Sequence, residues 1–263
     1  MKKRIWIPIF CFLVLCSCGY LTPQEKDKNE DQNVIHCASA EGMVTEKSVT
    51  NNTPCQIRLI KQQENEETSC SLVIEIDTES SVLKKELDSN VVPRTFESSL
   101  FLGDVDGDTI KEILIHHNTG GVGGFGLWQT WVLKIENDEI LTLFESFNEF
   151  DTGFDSRFLD NYQLEVKNRF VDYTLVFDVK DSHKKHITNS QEKPDGNIYL
   201  DSFYVFEPKD VDDDGICEII CKQYTSIFLH ADYTGIAHSV LKFNTDAQSF
   251  KVVDAWYEPY IEE

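Results

Sequence analysis

Two short acidic runs carry the residues most able to do chemistry in this chain: DVDGDTIKE at Asp104–Glu112 and DVDDDGICE at Asp210–Glu218. Each places carboxylates at loop positions 1, 3, 5 and 9. Like charges at that density repel one another unless a cation sits among them. Oxygen donors so arranged suit Ca²⁺, which takes about six to eight oxygens at roughly 2.3–2.6 Å. The expected donors are Asp104, Asp106, Asp108, the carbonyl of Ile110 and Glu112 in the first run. In the second they are Asp210, Asp212, Asp214, the carbonyl of Ile216 and Glu218.

The runs are not EF-hands. That loop closes on a bidentate Glu at position 12 and lies between helices. Here position 12 is Ile115 or Cys221, and the last acid comes early, at Glu112 or Glu218. The next residues are Ile113-Leu114-Ile115 and Ile219-Ile220-Cys221, short apolar runs that read as buried strand. A D-x-D-x-D-G-x-x-[DE] loop leading into a strand resembles the FG-GAP/VCBS repeat, the calcium loop of integrin-α-like β-propellers and many bacterial surface proteins. The second run fits throughout, with Gly215 at position 6; the first has Thr109 there and its glycine earlier, at Gly107. The likeness covers Ser98–Ser146 and Phe203–Tyr257 and implies an all-β, propeller-like fold with structural Ca²⁺.

The elements that must hold these loops are also duplicated. Val132-Leu133-Lys134-Ile135 matches Val240-Leu241-Lys242-Phe243, at an offset of 108 residues against 106 for the loops themselves. Each copy reads as strand, acidic loop, strand, long loop, strand, turn, strand, ending in Glu139–Ser146 or Ser249–Tyr257. Further strands are expected at Cys55–Lys61 and Cys70–Asp77, as a hairpin, and at Gln163–Asn168, Tyr173–Val179 and Asn197–Phe206. Ser81–Leu87 reads as a short helix. The expected fold is all-β: a propeller-like repeat of four-stranded antiparallel units, complete or incomplete, with a two-sheet sandwich as the alternative.

Met1-Lys2-Lys3-Arg4 followed by the apolar run Ile5–Leu15 reads as an export signal. Leu15-Cys16-Ser17-Cys18 resembles the bacterial lipobox, which makes residues 1–17 the signal peptide and Cys18 the lipidated residue. Residues 18–35 read as anchor and flexible linker, and residues 36–263 as the all-β domain. The implied location is the cell envelope, lipid-anchored on the extracytoplasmic side of the membrane. Loss of Lys2, Lys3 and Arg4 with the signal takes the formal charge from −22 to −25. So acidic a chain excludes nucleic acid as a partner, since phosphates demand Lys and Arg. Five cysteines remain after Cys18: Cys37, Cys55, Cys70, Cys217 and Cys221. An odd number leaves at least one unpaired in a monomer.

Other constellations read as structural. A literal G-x-G-x-x-G at Gly121–Gly126 leads into Trp128–Leu133, rich in strand-forming residues, rather than opening a helix, so it reads as a loop between antiparallel strands. Trp131 shares a face with Leu133 and reads as core. Trp128 lies on the other face and reads as packing between units, with sugar or peptide stacking as its functional alternative. His116 and His117 point to opposite faces of a strand and cannot chelate one ion. The set His230, Asp232 and His238 is the best histidine cluster. No nucleophile elbow is present. The function expected is non-enzymatic: a lipid-anchored calcium-binding module for binding, adhesion or envelope structure, with a protein or glycan ligand. The alternative is an envelope hydrolase acting on glycan or peptide.

Overall fold

The computed structural model describes residues 43–50, 53–63, 70–78, 81–91, 97–119, 127–146, 150–159, 162–179, 198–227 and 233–260. The signal segment, Cys18, the linker, the glycine loop at 120–126, His183, His186, His230 and Asp232 lie outside the described residues.

The described chain is all-β, with fifteen strands in four antiparallel sheets. The first sheet is a meander of β1 (Met43–Thr50), β2 (Thr53–Gln63), β3 (Cys70–Thr78) and β4 (Val82–Val91). The second comprises β5 (Glu97–Gly103), β6 (Glu112–Asn118), β7 (Trp128–Glu136) and β8 (Glu139–Ser146). The third has three strands, β9 (Phe154–Phe158), β10 (Gln163–Asn168) and β11 (Tyr173–Asp178), where a four-stranded unit was expected. The fourth comprises β12 (Tyr199–Lys209), β13 (Glu218–Ser226), β14 (Tyr233–Asn244) and β15 (Ser249–Pro259).

The helix expected over Ser81–Leu87 is instead the start of β4. Leu83 and Leu87 stand four residues apart, a spacing that suits a helix face and also a strand face of period two. The strand reading wins because Leu83 and Leu87 fall opposite Ile76 and Leu72 of β3, where both complete the first sheet's buried face.

The second sheet lies between the first and the fourth. β6 alternates its side chains to two cores, which is why it is buried almost throughout. Ile113 and Ile115, with Trp131 and Leu133 of β7, pack on Ile57, Leu59, Leu72 and Ile74 of the first sheet. Leu114 and Val132 face the other way, into a core shared with Phe206, Ile219 and Leu241 of the fourth sheet and with Leu164 and Val166 of the third. Polar ties cross the same seams. Lys85 Nζ donates to Ile140 O at 3.1 Å between the first and second sheets. The Trp128 amide donates to Ser202 Oγ at 2.9 Å between the second and fourth. Tyr173 OH donates to Tyr257 O at 3.1 Å and accepts from Tyr257 N at 2.9 Å between the third and fourth.

His116 and His117 do face apart: His116 Nε2 meets Phe203 O at 2.7 Å, while His117 Nδ1 meets Ser98 Oγ at 2.6 Å. Trp131 is core, and Trp128 stacks on His116 at 4.2 Å between the two sheets. Cys221 is a buried free thiol; Cys217, also free, is half-buried just before β13. β6 and β7 pair antiparallel with Asn118 opposite Trp128, so the glycine segment connects two neighbouring antiparallel strands.

Candidate metal centre

Both acidic runs occupy the same place in their sheets, the turn from first strand to second: β5 to β6 and β12 to β13. Their backbones match where their sequences differ. Position 4 is left-handed in each, as Gly107 (φ 82°) and Asp213 (φ 58°); position 6 is left-handed in each, as Thr109 (φ 72°) and Gly215 (φ 89°). Glycine takes positive φ without steric cost, and Asp tolerates it better than most residues. Each loop therefore spends its glycine on one of the two sites and places another residue at the other. Thr109, the apparent departure from the repeat pattern, keeps the same turn despite its β-branch.

The amides wind inward onto the first carboxylate. Asp104 accepts from Gly107 N and Thr109 N, both at 2.8 Å; Asp210 accepts from Asp214 N at 3.1 Å and Gly215 N at 2.9 Å. The fifth position caps the turn, with Asp108 accepting from Ile110 N at 2.7 Å and Asp214 from Ile216 N at 2.8 Å. The closing Glu is the first residue of the second strand and reaches back to the residue after the first Asp. Glu112 Oε2 accepts from Val105 N at 2.8 Å, and Glu218 Oε2 from Val211 N at 3.1 Å.

The carboxylates gather differently in the two loops. Oxygens of Asp104, Asp106 and Asp108 lie within 4.8 Å of one another, and so do those of Asp210, Asp212 and Glu218. Glu112 and Asp214 stand outside these compact groups. Glu112 is nevertheless fully buried, and its Oε1 has no hydrogen-bond partner. Burial pushes its carboxyl up to about 7; the Val105 amide opposes the rise, and the Asp106 and Asp108 charges add to it. An orphaned buried carboxylate oxygen beside further acids is the group a hard cation would satisfy, and the donor set is oxygen throughout. The carbonyls of Ile110 and Ile216 remain as sequence-based expectations.

The sequence reading missed a lysine that reaches each loop from a neighbouring strand, Lys134 on β7 and Lys242 on β14. Lys134 Nζ bridges Asp106 and, at 2.6 Å, Asp108. Lys242 Nζ reaches Glu218 at 2.7 Å and Asp212 and Asp214 at 3.2 Å. Burial acts to lower the Lys134 ammonium, but its hydrogen bonds to Asp106 and Asp108 outweigh that and raise it. Lys242 is raised by its hydrogen bond to Glu218 first; burial opposes the rise, and hydrogen bonds to Asp214 and Asp212 add to it. Burial likewise acts to raise Asp108, and Lys134 with the Ile110 amide holds it below the usual carboxylate range. The signal was present in the sequence: Lys134 and Lys242 are the matching residues of the two Val-Leu-Lys segments.

The loops also touch. Cys217 N donates to Asp104 O at 2.6 Å, joining the end of the second run to the start of the first. A Cβ on Gly107 would lie 2.9 Å from Ile216 Cδ1, and one on Gly103 only 2.8 Å from Pro208 Cβ. Cys217, at this seam, has its thiol raised by burial and by the charges of Asp210, Asp104 and Glu218. Of the candidate histidine set, His230 and Asp232 lie outside the described residues and only His238 is described. His238 stacks on Trp256 at 4.6 Å, and its Nε2 meets Glu258 Oε2 at 3.1 Å.

Fold and site together define a class: stacked antiparallel meander sheets bearing abutting acidic turns. Comparison with known proteins adds a relation over part of the chain. A family model described as the YybI C-terminal domain matches residues 152–258, which covers the third and fourth sheets and the second acidic loop but not the first. The chain is 27% identical over 156 residues to the uncharacterized protein YybI of Bacillus subtilis (strain 168). That alignment covers 57% of this chain and 58% of the YybI protein. No solved structure matches.

Proposed function

We propose that the chain is a lipid-anchored, extracytoplasmic calcium-binding protein of the bacterial cell envelope, serving as a binding or adhesion module rather than an enzyme. The observation that carries the calcium reading is the pair of all-oxygen turns in equivalent places, with Glu112 Oε1 buried and unpaired in one of them. Ca²⁺ would draw on Asp104, Asp106, Asp108 and Glu112 in the first loop and on Asp210, Asp212 and Glu218 in the second. There it would offset carboxylate repulsion and fix the start of β6 and β13. The anchor at Cys18 rests on the lipobox-like residues Leu15–Cys18.

We read the four sheets as repeat units stacked as layers, either an incomplete propeller-like array or a sandwich. Strand contacts run from first sheet to second, second to fourth and fourth to third, an order that favours layered packing over a ring of consecutive units. The binding role draws support from aromatic side chains on the fourth sheet. Trp256, partly exposed, lies over His238, and Tyr204 stacks on Tyr224 at 3.9 Å. A flat indole with an open face suits a protein or glycan ligand. The stacking role weighed for Trp128 passes to Trp256, since both rings stack on a histidine and Trp256 is the more exposed of the two.

The test of the calcium reading is thermal unfolding with Ca²⁺ and with chelator, for the native sequence and for Asp106→Asn combined with Asp212→Asn. Ca²⁺ is expected to raise the native midpoint and to leave the double variant unmoved. Identical midpoints in all four conditions would refute the reading.

A further inference from the structure

We propose that Lys134 and Lys242 are internal counter-cations that a divalent ion must displace, so that metal uptake by these loops is an exchange and the lysines set its selectivity. This rests on the calcium reading above. The two lysines hold equivalent register positions. Leu133 pairs with Ile113 and Leu241 with Ile219, which places Lys134 beside Glu112 and Lys242 beside Glu218 on the neighbouring strand. Each ammonium then reaches into its loop and takes oxygens that a metal would need: Asp106 and Asp108 in the first, Asp212 and Glu218 in the second. An ammonium and a divalent ion compete for the same carboxylates, and their like charges repel each other across the loop.

One ammonium does not neutralise either loop. The first sets Asp104, Asp106, Asp108 and Glu112 against Lys134; the second sets Asp210, Asp212, Asp213, Asp214 and Glu218 against Lys242. The residual field is strongly negative, and Glu112 Oε1 stays unpaired with Lys134 in place. A monovalent ion brings no more charge than the ammonium it would replace, and the ammonium is already tethered. A divalent ion brings twice the charge, and the flexible lysine stem can swing out to water. The device therefore rejects Na⁺ and K⁺ and sets a threshold for Ca²⁺.

The loops should exchange in order. The Lys134 side chain is 13% exposed and its partner Asp106 10%; the Lys242 side chain is 29% exposed and its partner Asp212 55%. Lys242 is the more exposed ammonium, and two of its three partners, Asp212 and Asp214, are well hydrated while its nearest, Glu218, is 3% exposed, so the second loop loads first.

Two measurements on the whole chain test this. Calorimetric Ca²⁺ titration of the native protein, Lys134→Gln and Lys242→Gln is expected to show several-fold tighter binding in each variant, with lower unfolding midpoints in chelator. Acetylation of the native protein, read by mass spectrometry, avoids any folding defect of the variants. Ca²⁺ is expected to raise labelling of Lys242 several-fold, then of Lys134 at higher concentration, while Na⁺ and K⁺ leave both unchanged. Native Ca²⁺ binding that neither variant tightens, or lysine labelling that Ca²⁺ leaves flat or lowers, would overturn the exchange and leave the calcium reading standing. No Ca²⁺ binding by native protein or variants would overturn both.

Discussion

Removing the charge of Glu112 should change the pH dependence of stability in a direction and amount set by its burial. The side chain is fully buried, and its carboxyl is pushed from 4.5 up to about 7. A carboxyl whose folded value lies above its unfolded value favours the folded state while protonated. That stability is fully present below pH 4.5 and is lost as pH rises through about 7. The full shift corresponds to roughly 3 kcal/mol. Between pH 5.5 and 8 the loss amounts to roughly 2 kcal/mol, or about 4–8 °C in midpoint for a domain of this size. His116 and His117 act oppositely. Burial pushes both down to about 4, so they withdraw stability as pH falls from 6.5. The informative quantity is therefore the difference between native protein and Glu112→Gln, melted in chelator at both pH values, because the histidine contribution cancels. Glu112→Gln should be the more stable of the two at pH 8, and that advantage should shrink by about 4–8 °C at pH 5.5. If the first loop takes Ca²⁺ as proposed, the sign should reverse in saturating Ca²⁺, since the metal favours the carboxylate that Gln lacks. A difference that does not change with pH in chelator would refute the burial argument.

The contact between the loops predicts unequal effects for Gly107→Ala and Gly215→Ala. Both put a Cβ on left-handed backbone, a cost of about 1–2 kcal/mol, but only the first drives that Cβ against Ile216. In a denaturation cycle with Ile216→Ala, Gly107→Ala should be relieved by about 0.5–1 kcal/mol and Gly215→Ala should not; equal behaviour would argue against the contact. Trp131→Ala should cost about 3–5 kcal/mol in urea unfolding, because the ring is buried between the first and second sheets. A loss under about 1 kcal/mol would show that those two sheets do not share a core.

The sequence disclosed strands best where a side-chain pattern met a turn signal. β8 and β10 fall on the residues expected of them, and the hairpin of β2 and β3 sits where Cys55–Lys61 and Cys70–Asp77 suggested. It misled at β4, because Leu83 and Leu87 satisfy two periodicities and only the facing strand decides between them. β9 passed unnoticed, as Phe154–Phe158 is short and offers little alternation. In the site, the acids were legible because their spacing is local. Lys134 and Lys242 were visible as a repeat but not as partners of the acids. Their role depends on register with β6 and β13, and register is a property of two strands rather than of one segment.

Register also explains how a surface turn can bear on the whole core. Glu112 and Glu218 are at once the last acids of their loops and the first residues of β6 and β13. The residues after them, Ile113 and Ile219, are fully buried in two different cores. Val105, whose amide Glu112 holds, is itself buried against the second core. A cation that fixed these two carboxylates would therefore set the first residue of two buried strands, and the Cys217–Asp104 backbone bond would pass a shift of one loop to the other. Repulsion in an unneutralised loop falls on the start of a central strand, not on a free tip. That placement is a physical reason for setting a lysine beside each loop: positive charge at these two points offsets repulsion at the start of a buried strand.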